Sequence, residues 1–473
     1  MESYIHLYEK NSEFTEAYNG PDYKEPWLSL TEENMTIGYS KPKLTAITFD
    51  NITWVTDIPA TGGTATKDNC EFKVYAKYNN GISVDILSDA TVTGELAVPS
   101  STEGQRHEIE QPLTLTAKYS GFTATGNVTV YQAADFSTEP LTFNILSGGT
   151  INWTTSGTFI AKTIDYKLND SNNWTSITSN TGESAPTITV KAGDKIQFRG
   201  NNENYGNDTS SYNMFSGSTA EFEVEGNIMS LINSTDFVTA TTLESNFTFV
   251  GLFSDCTGLT SAENLILPAT TLAYSCYSGM FRNCSSLKTA PKLPATQLAN
   301  YCYQYMFDGC TSLTTAPKEL PATTLADYCY YRMFYGCTSL ITAPKLPATT
   351  VAQGCCDSMF KGCTSLTTAP SILPARTITY GCYSGMFQGC TSLTTAPALP
   401  ATKLYNDCYK SMFQGCTNLN YIKCLATDIS AYGSKSSWVS GVAATGTFVK
   451  AASMNDWATG TSGIPEGWTV QDA

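Results

Sequence analysis

The rhythm of hydrophobic and polar positions changes twice along the chain. From about residue 41 to 133, short alternating runs such as "KLTAITF", "EFKVYAKY", "LTLTAKY" and "GNVTVYQ" are separated by Gly, Asp, Asn and Ser clusters. Period-two alternation bounded by turn residues predicts the half-buried strands of a β-sandwich. Residues 134–226 continue in the same style with "PLTFNIL", "TIDYKL", "TITVKAGDKIQFRG" and "AEFEVEG", which predicts a second small β domain. Residues 1–40 are dense in turn residues and aromatics without a long periodic run, as expected of an irregular arm.

After residue 226 a new pattern begins and returns at a near-constant interval. "CYQYMFDGCTSLTTAP" at 302–317 comes back as "CYYRMFYGCTSLITAP" at 329–344 and as "CYSGMFQGCTSLTTAP" at 382–397. The cysteine after the Met-Phe pair falls at Cys256, Cys284, Cys310, Cys337, Cys363, Cys390 and Cys416, giving spacings of 28, 26, 27, 26, 27 and 26. Such a period predicts a solenoid, because one repeat alone cannot bury its apolar face and its neighbours must do so. Within a copy, Leu298, Cys302 and Met306 lie four apart and Gly309 suits a left-handed stop, which predicts a short helix. "TSLTTAP" then predicts a strand cut short by proline. Six or seven coils over 227–425 are expected. Residues 426–473 lose the repeat but carry Trp438, Trp457 and Trp468, and read as a C-terminal cap.

Met-Phe-x-Gly-Cys-Thr-Ser-Leu with its following Leu-Pro resembles the BspA-type leucine-rich repeat over about residues 228–425. "AYNGPDYKEPWLSLTEE" resembles a segment that precedes Ig-like domains in proteins of that kind, and residues 41–133 resemble bacterial Ig-like modules. These resemblances imply a multidomain protein: all-β Ig-like sandwich domains, then an α/β leucine-rich-repeat solenoid with a cap. Similar repeats occur in surface proteins of gut anaerobes and in their tailed phages. A cell-surface adhesin should carry an export signal, and "MESYIHLYEKNSEF" has neither a basic n-region nor an apolar h-region. A phage virion protein on the particle surface, displaying the repeats for host attachment, is therefore the leading expectation. A bacterial cell-surface adhesin is the alternative and a carbohydrate-active enzyme a distant third.

Composition and charge narrow this further. Hydrophobic residues make up 41% and charged residues only 15%, so the chain can bury real cores. Net charge is −15, and the acid is concentrated early: residues 1–250 hold 31 acidic and 14 basic side chains, whereas 251–425 hold 7 and 11. No clustered Lys/Arg footprint marks a nucleic-acid partner. No stretch approaches 18 consecutive apolar residues, so no membrane insertion is expected.

Candidate chemistry is sparse. Cys302 and Cys310 lie eight apart, about 12 Å on a helical path and beyond the roughly 7 Å a disulfide tolerates. Bridges between neighbouring coils remain open, with a reduced core column favoured over them. The repeats contain no histidine, C-x7-C is not a zinc spacing, and no metal or other cofactor is expected. His6 and His107 have no triad signature around them, so no catalytic residue is expected. "GNNENYGNDTSS" at 200–211 is rich in oxygens but lacks the ordered calcium-loop spacing and reads as a plain loop.

Two columns are candidates to face a ligand: Thr289, Thr315, Thr342, Thr368 and Thr395, and Tyr277, Tyr303, Tyr330, Tyr383 and Tyr409. The competing reading gives the threonines to strand propensity and the tyrosines to packing between helices. Phe281, Phe307, Phe334, Phe360, Phe387 and Phe413, with Cys284, Cys310, Cys337, Cys363, Cys390 and Cys416, are the expected structural core. The expected partners are other virion proteins through the N-terminal arm and a host glycan or protein, and a homo-oligomer is compatible.

Overall fold

The computed structural model describes residues 42–58, 62–101, 107–132, 135–158 and 160–473. The arm over 1–40, and His6 with it, lies outside the described residues. Two compact units are present, Met1–Asp135 and Phe136–Ala473.

In the first unit the alternating runs become antiparallel strands. Leu44–Trp54 pairs with Cys70–Tyr78, which pairs with Ser83–Asp85; Thr91–Thr93 pairs with Leu113–Tyr119, which pairs with Phe122–Val128. Alternation turns one face inward, so Ile47, Val74, Ala76 and Ala117 form one buried cluster and Leu113, Leu115, Val128 and Val130 another.

The second unit begins with a six-stranded sheet in the order Thr175–Thr178, Thr163–Leu168, Lys195–Arg199, Leu141–Ser147, Glu221–Asn227 and Leu259–Ile266. The last pair is parallel, and Leu259–Ile266 already belongs to the first coil. Separate units were expected over 134–226 and 227–425; instead a sheet ladder crosses from one to the other. The core crosses too: Phe143 stacks on Phe222 at 4.6 Å and contacts Phe253, whose ring stacks on Phe281 in the next coil.

The expected α/β solenoid is corrected by the structure. Among the described residues there is no α-helix, only four short 3₁₀ turns. The segment containing Cys302, Met306 and Gly309 is a ribbon of overlapping β-turns. Cys302, Gln304, Met306, Asp308 and Cys310 each donate their N–H to the carbonyl three residues back, at 3.1–3.3 Å. The residues between them donate outward instead: Tyr303 to Cys329, Tyr305 to Tyr331, Phe307 to Met333 and Gly309 to Tyr335, at 2.8–3.0 Å. Half of the amides thus tie each coil to the next, which leaves too few for the i→i−4 ladder of a helix.

Every fourth residue takes positive φ, as at Tyr301 (60°), Tyr305 (57°) and Gly309 (77°). That four-residue beat is what made the segment look helical. Eight such ribbons occur among the described residues, the last with Gly433, Ser437 and Gly441 inside the segment expected as a cap. Elsewhere the coils meet mostly through single parallel bridges, such as Thr289–Thr315, Thr324–Thr350 and Glu319–Lys345.

Inside, identical side chains stack along the solenoid. From Phe253 through Phe281, Phe307, Phe334, Phe360 and Phe387 to Phe413, the ring centroids are 5.3–5.8 Å apart with planes within 13°. Near-parallel rings at that distance are offset-stacked, the favoured geometry for aromatic quadrupoles. At the end of the solenoid, Tyr421–Cys424 of the seventh coil, Thr447–Lys450 and Thr469–Asp472 form a parallel sheet. Trp438 is buried there, with its indole N–H on the Gly463 carbonyl at 2.8 Å.

Candidate functional site

The outward columns of the coils are the candidate site, and the structure separates the two expected ones. Tyr277, Tyr303, Tyr330, Tyr383 and Tyr409 are all at most 3% exposed, so they cannot face a ligand. Their rings stack between coils, Tyr277 on Tyr303 at 5.7 Å and Tyr303 on Tyr330 at 6.1 Å. The reason is local: each follows its cysteine in the turn ribbon at a position that points inward, on the same side as Met and Phe. In the fifth coil Cys356 stands in this column, and a void of about 10 Å³ opens beside it, lined by Leu325, Leu346, Leu373 and Tyr383. The hydroxyls of Tyr277 and Tyr303 are buried without a protein hydrogen-bond partner.

The threonine column does lie on the surface. Thr315, Thr342, Thr368 and Thr395 are exposed and Thr289 is half-buried. Backbone bridges join Thr289 to Thr315 and Thr342 to Thr368. These bridges give strand propensity a sufficient reason for threonine here.

All sixteen cysteines are free thiols, and all except the half-buried Cys70 are buried. The column after Met-Phe has a specific task. Cys284, Cys310, Cys337, Cys363, Cys390 and Cys416 each donate Sγ–H to a phenylalanine carbonyl in the preceding coil, at 2.9–3.1 Å. Each carbonyl also accepts an N–H from its own turn, so the thiol fills its second acceptor site. Burial drives the thiols of both this column and the rest of the repeats toward the neutral form: Cys302, Cys363, Cys416 and Cys424 are pushed up to about 12. They are poor nucleophiles and poor metal ligands in this state.

The sequence reading missed a third surface, on the outside of the turn ribbons. Phe247 meets Tyr274 at 5.4 Å, Tyr274 meets Tyr301 at 5.5 Å, and Tyr301 stacks on Tyr328 at 5.1 Å. Tyr328 and Tyr305 both meet Tyr331 edge-on, at 5.9 and 5.3 Å. Arg332 lies 3.8 Å over the Tyr335 ring and 5.2 Å from that of Tyr305, and pairs with Asp308 at 3.1 Å. Burial raises the Asp308 carboxyl above its usual range, an effect opposed by Arg332 and Arg282. The available signal was the variable positions of the repeat: "CYQYMFD" and "CYYRMFY" where other copies read "CYSGMFR", "CCDSMFK", "CYSGMFQ" and "CYKSMFQ".

In the first unit, a surface groove of about 520 Å³ is lined by Ile47, Thr48, Phe49, Ile52 and Ala124–Asn127. The 200–211 loop uses its own polar groups: Tyr205 is buried with its hydroxyl on the Leu231 carbonyl, and Asp208 accepts from the Ser210 amide and hydroxyl. Among the described residues, no group of three or more His, Cys, Asp or Glu side chains could hold a metal ion. No helix among them is long and apolar enough to cross a membrane.

Residues 233–367 and 331–436 match the family model of the BspA type leucine rich repeat region, in six copies. Comparison with curated proteins and with solved structures gave no significant match.

Proposed function

We propose that this chain is a non-enzymatic attachment protein of the surface-adhesin type, whose repeat solenoid displays a binding face. One observation carries the reading: successive coils keep nearly the same Met, Phe, Cys and Leu columns in a continuous core, while the outward positions of the same ribbons change from coil to coil. Constant interior with varied exterior is the division of labour of a repeat scaffold used for recognition. The repeat thiols and the tyrosine column from Tyr277 to Tyr409 serve the interior. Residues 41–133 act as an Ig-like spacer, residues 1–40 as the anchoring arm and residues 426–473 as the solenoid's cap. The adhesin setting is adopted over a virion setting because the matched repeat is of the BspA type.

Fluorescently labelled full-length protein is expected to coat target cells or matrix saturably and to be displaced by unlabelled protein. Absence of saturable retention on any cell or matrix surface would defeat the reading. Release of new reducing ends from a polysaccharide would move the chain to the enzymes.

A further inference from the structure

The coils serve as their own comparison set. Each of the eight ribbons has three left-handed backbone positions, and of these twenty-four, nineteen hold Gly, Ser, Asn or Asp. The five exceptions are Phe247, Tyr301, Tyr305, Tyr328 and Arg332, with φ between 52° and 60°. Bulky side chains are disfavoured there because Cβ crowds the backbone, and strain kept in place tends to mark function. All five belong to the aromatic ridge on the first four coils. In the later coils the same positions return to Gly, Ser or Asp.

The neighbouring coil also makes room for the ridge. A Cβ built on Gly354 would stand 2.3 Å from Tyr328 Cε1, so glycine at 354 lets that ring lie against the fifth coil.

We infer that this ridge, centred on Tyr301, Tyr305, Tyr328 and Arg332, is a binding site for a neutral polysaccharide chain. Three features select that ligand. The rings follow one another at 5.1–5.5 Å across successive coils, so a periodic surface meets a periodic polymer. Beside the rings stand hydrogen-bonding groups, including Arg332 and Gln353, the latter donating to the Tyr328 hydroxyl at 2.8 Å. A pyranose has the complementary form: its C–H groups pack on the accessible part of the rings, of which Tyr274 is 40% exposed, and its hydroxyls meet the polar groups. Charge is mixed locally: Arg332 and Arg282 stand by Asp308, and Lys361, Lys410 and Arg332 by Asp357, so no field of one sign selects a charged polymer. The inference rests on the attachment reading and gives it a site.

The test uses the full chain in affinity electrophoresis through gels containing mannan, xylan, galactan or β-glucan. Wild type should be retarded by at least one of them. The variant Tyr301→Gly/Tyr305→Gly/Arg332→Ser, which installs the residues of the sister coils, should lose at least tenfold in affinity while its melting temperature holds or rises. Tyr274→Ser, at a position of ordinary φ, should lose at least threefold, and Tyr432→Ser, outside the ridge, should lose nothing. Undiminished binding by both ridge variants overturns the site and leaves attachment standing. Adhesion to cells without retardation by any of the four polymers, or ridge-dependent adhesion that survives periodate oxidation of surface sugars, overturns the glycan assignment. Failure of wild type to adhere to any surface defeats the attachment reading itself.

Discussion

The thiol of Cys310 donates a hydrogen bond of 3.0 Å to the carbonyl oxygen of Phe281, one coil earlier. That oxygen also accepts the Cys284 N–H at 3.1 Å, so the cysteine completes a buried acceptor while filling the volume of a small hydrophobe. Cys310→Ala removes both and should destabilise by about 1–3 kcal/mol. Urea denaturation is the measurement, and an unchanged midpoint would show that the bond contributes nothing.

Burial should silence the thiols. In native protein at neutral pH, Cys70 should be the first to be alkylated by iodoacetamide, with the other fifteen protected until the chain unfolds. Mass spectrometry before and after denaturation reads this directly. Rapid native labelling within the repeats would contradict the closed core.

The same thiols make the fold alkali-sensitive. Cys302, Cys363, Cys416 and Cys424 are raised from 9.0 to about 12, so above pH 9 the unfolded chain loses protons that the folded chain retains. Their contribution is fully present below pH 9 and falls by up to roughly 1.4 kcal/mol per thiol per pH unit as pH rises toward 12. Circular dichroism should therefore show steep unfolding between pH 9 and 12, and a flat signal to pH 12 would refute it.

Tyr303 carries a buried hydroxyl with no protein partner, within a stack that uses only its ring. Tyr303→Phe removes an unpaired polar group without changing the ring, and should stabilise by about 1 kcal/mol. A lowered melting temperature would mean that the hydroxyl is satisfied in solution.

Glycines in the coils divide by what surrounds them. At Gly336, φ is 69° and a Cβ would meet nothing within 4 Å, so Gly336→Ala should cost only the left-handed strain, about 1 kcal/mol. At Gly258 a Cβ would lie 2.0 Å from the Ala220 carbonyl oxygen, between the β module and the first coil. Gly258→Ala should cost well over 3 kcal/mol or prevent folding. Thermal melts of the two variants give the comparison, and equal losses would refute the clash.

The sequence by itself determined the period, the interior columns and the alternating strands. A core position repeated in every coil leaves a mark at fixed spacing whatever backbone carries it. Gly309 could be assigned a left-handed backbone, because glycine is the residue best suited to one. Tertiary structure decided the rest. Spacing of four is shared by a helix face and a ribbon of turns, and the choice fell to the ribbon because alternate amides donate to the next coil, a partner that local pattern does not contain. For the same reason Tyr303 went inward and Tyr301 outward although they are two residues apart: direction is fixed by the turn geometry and the stacking of neighbours.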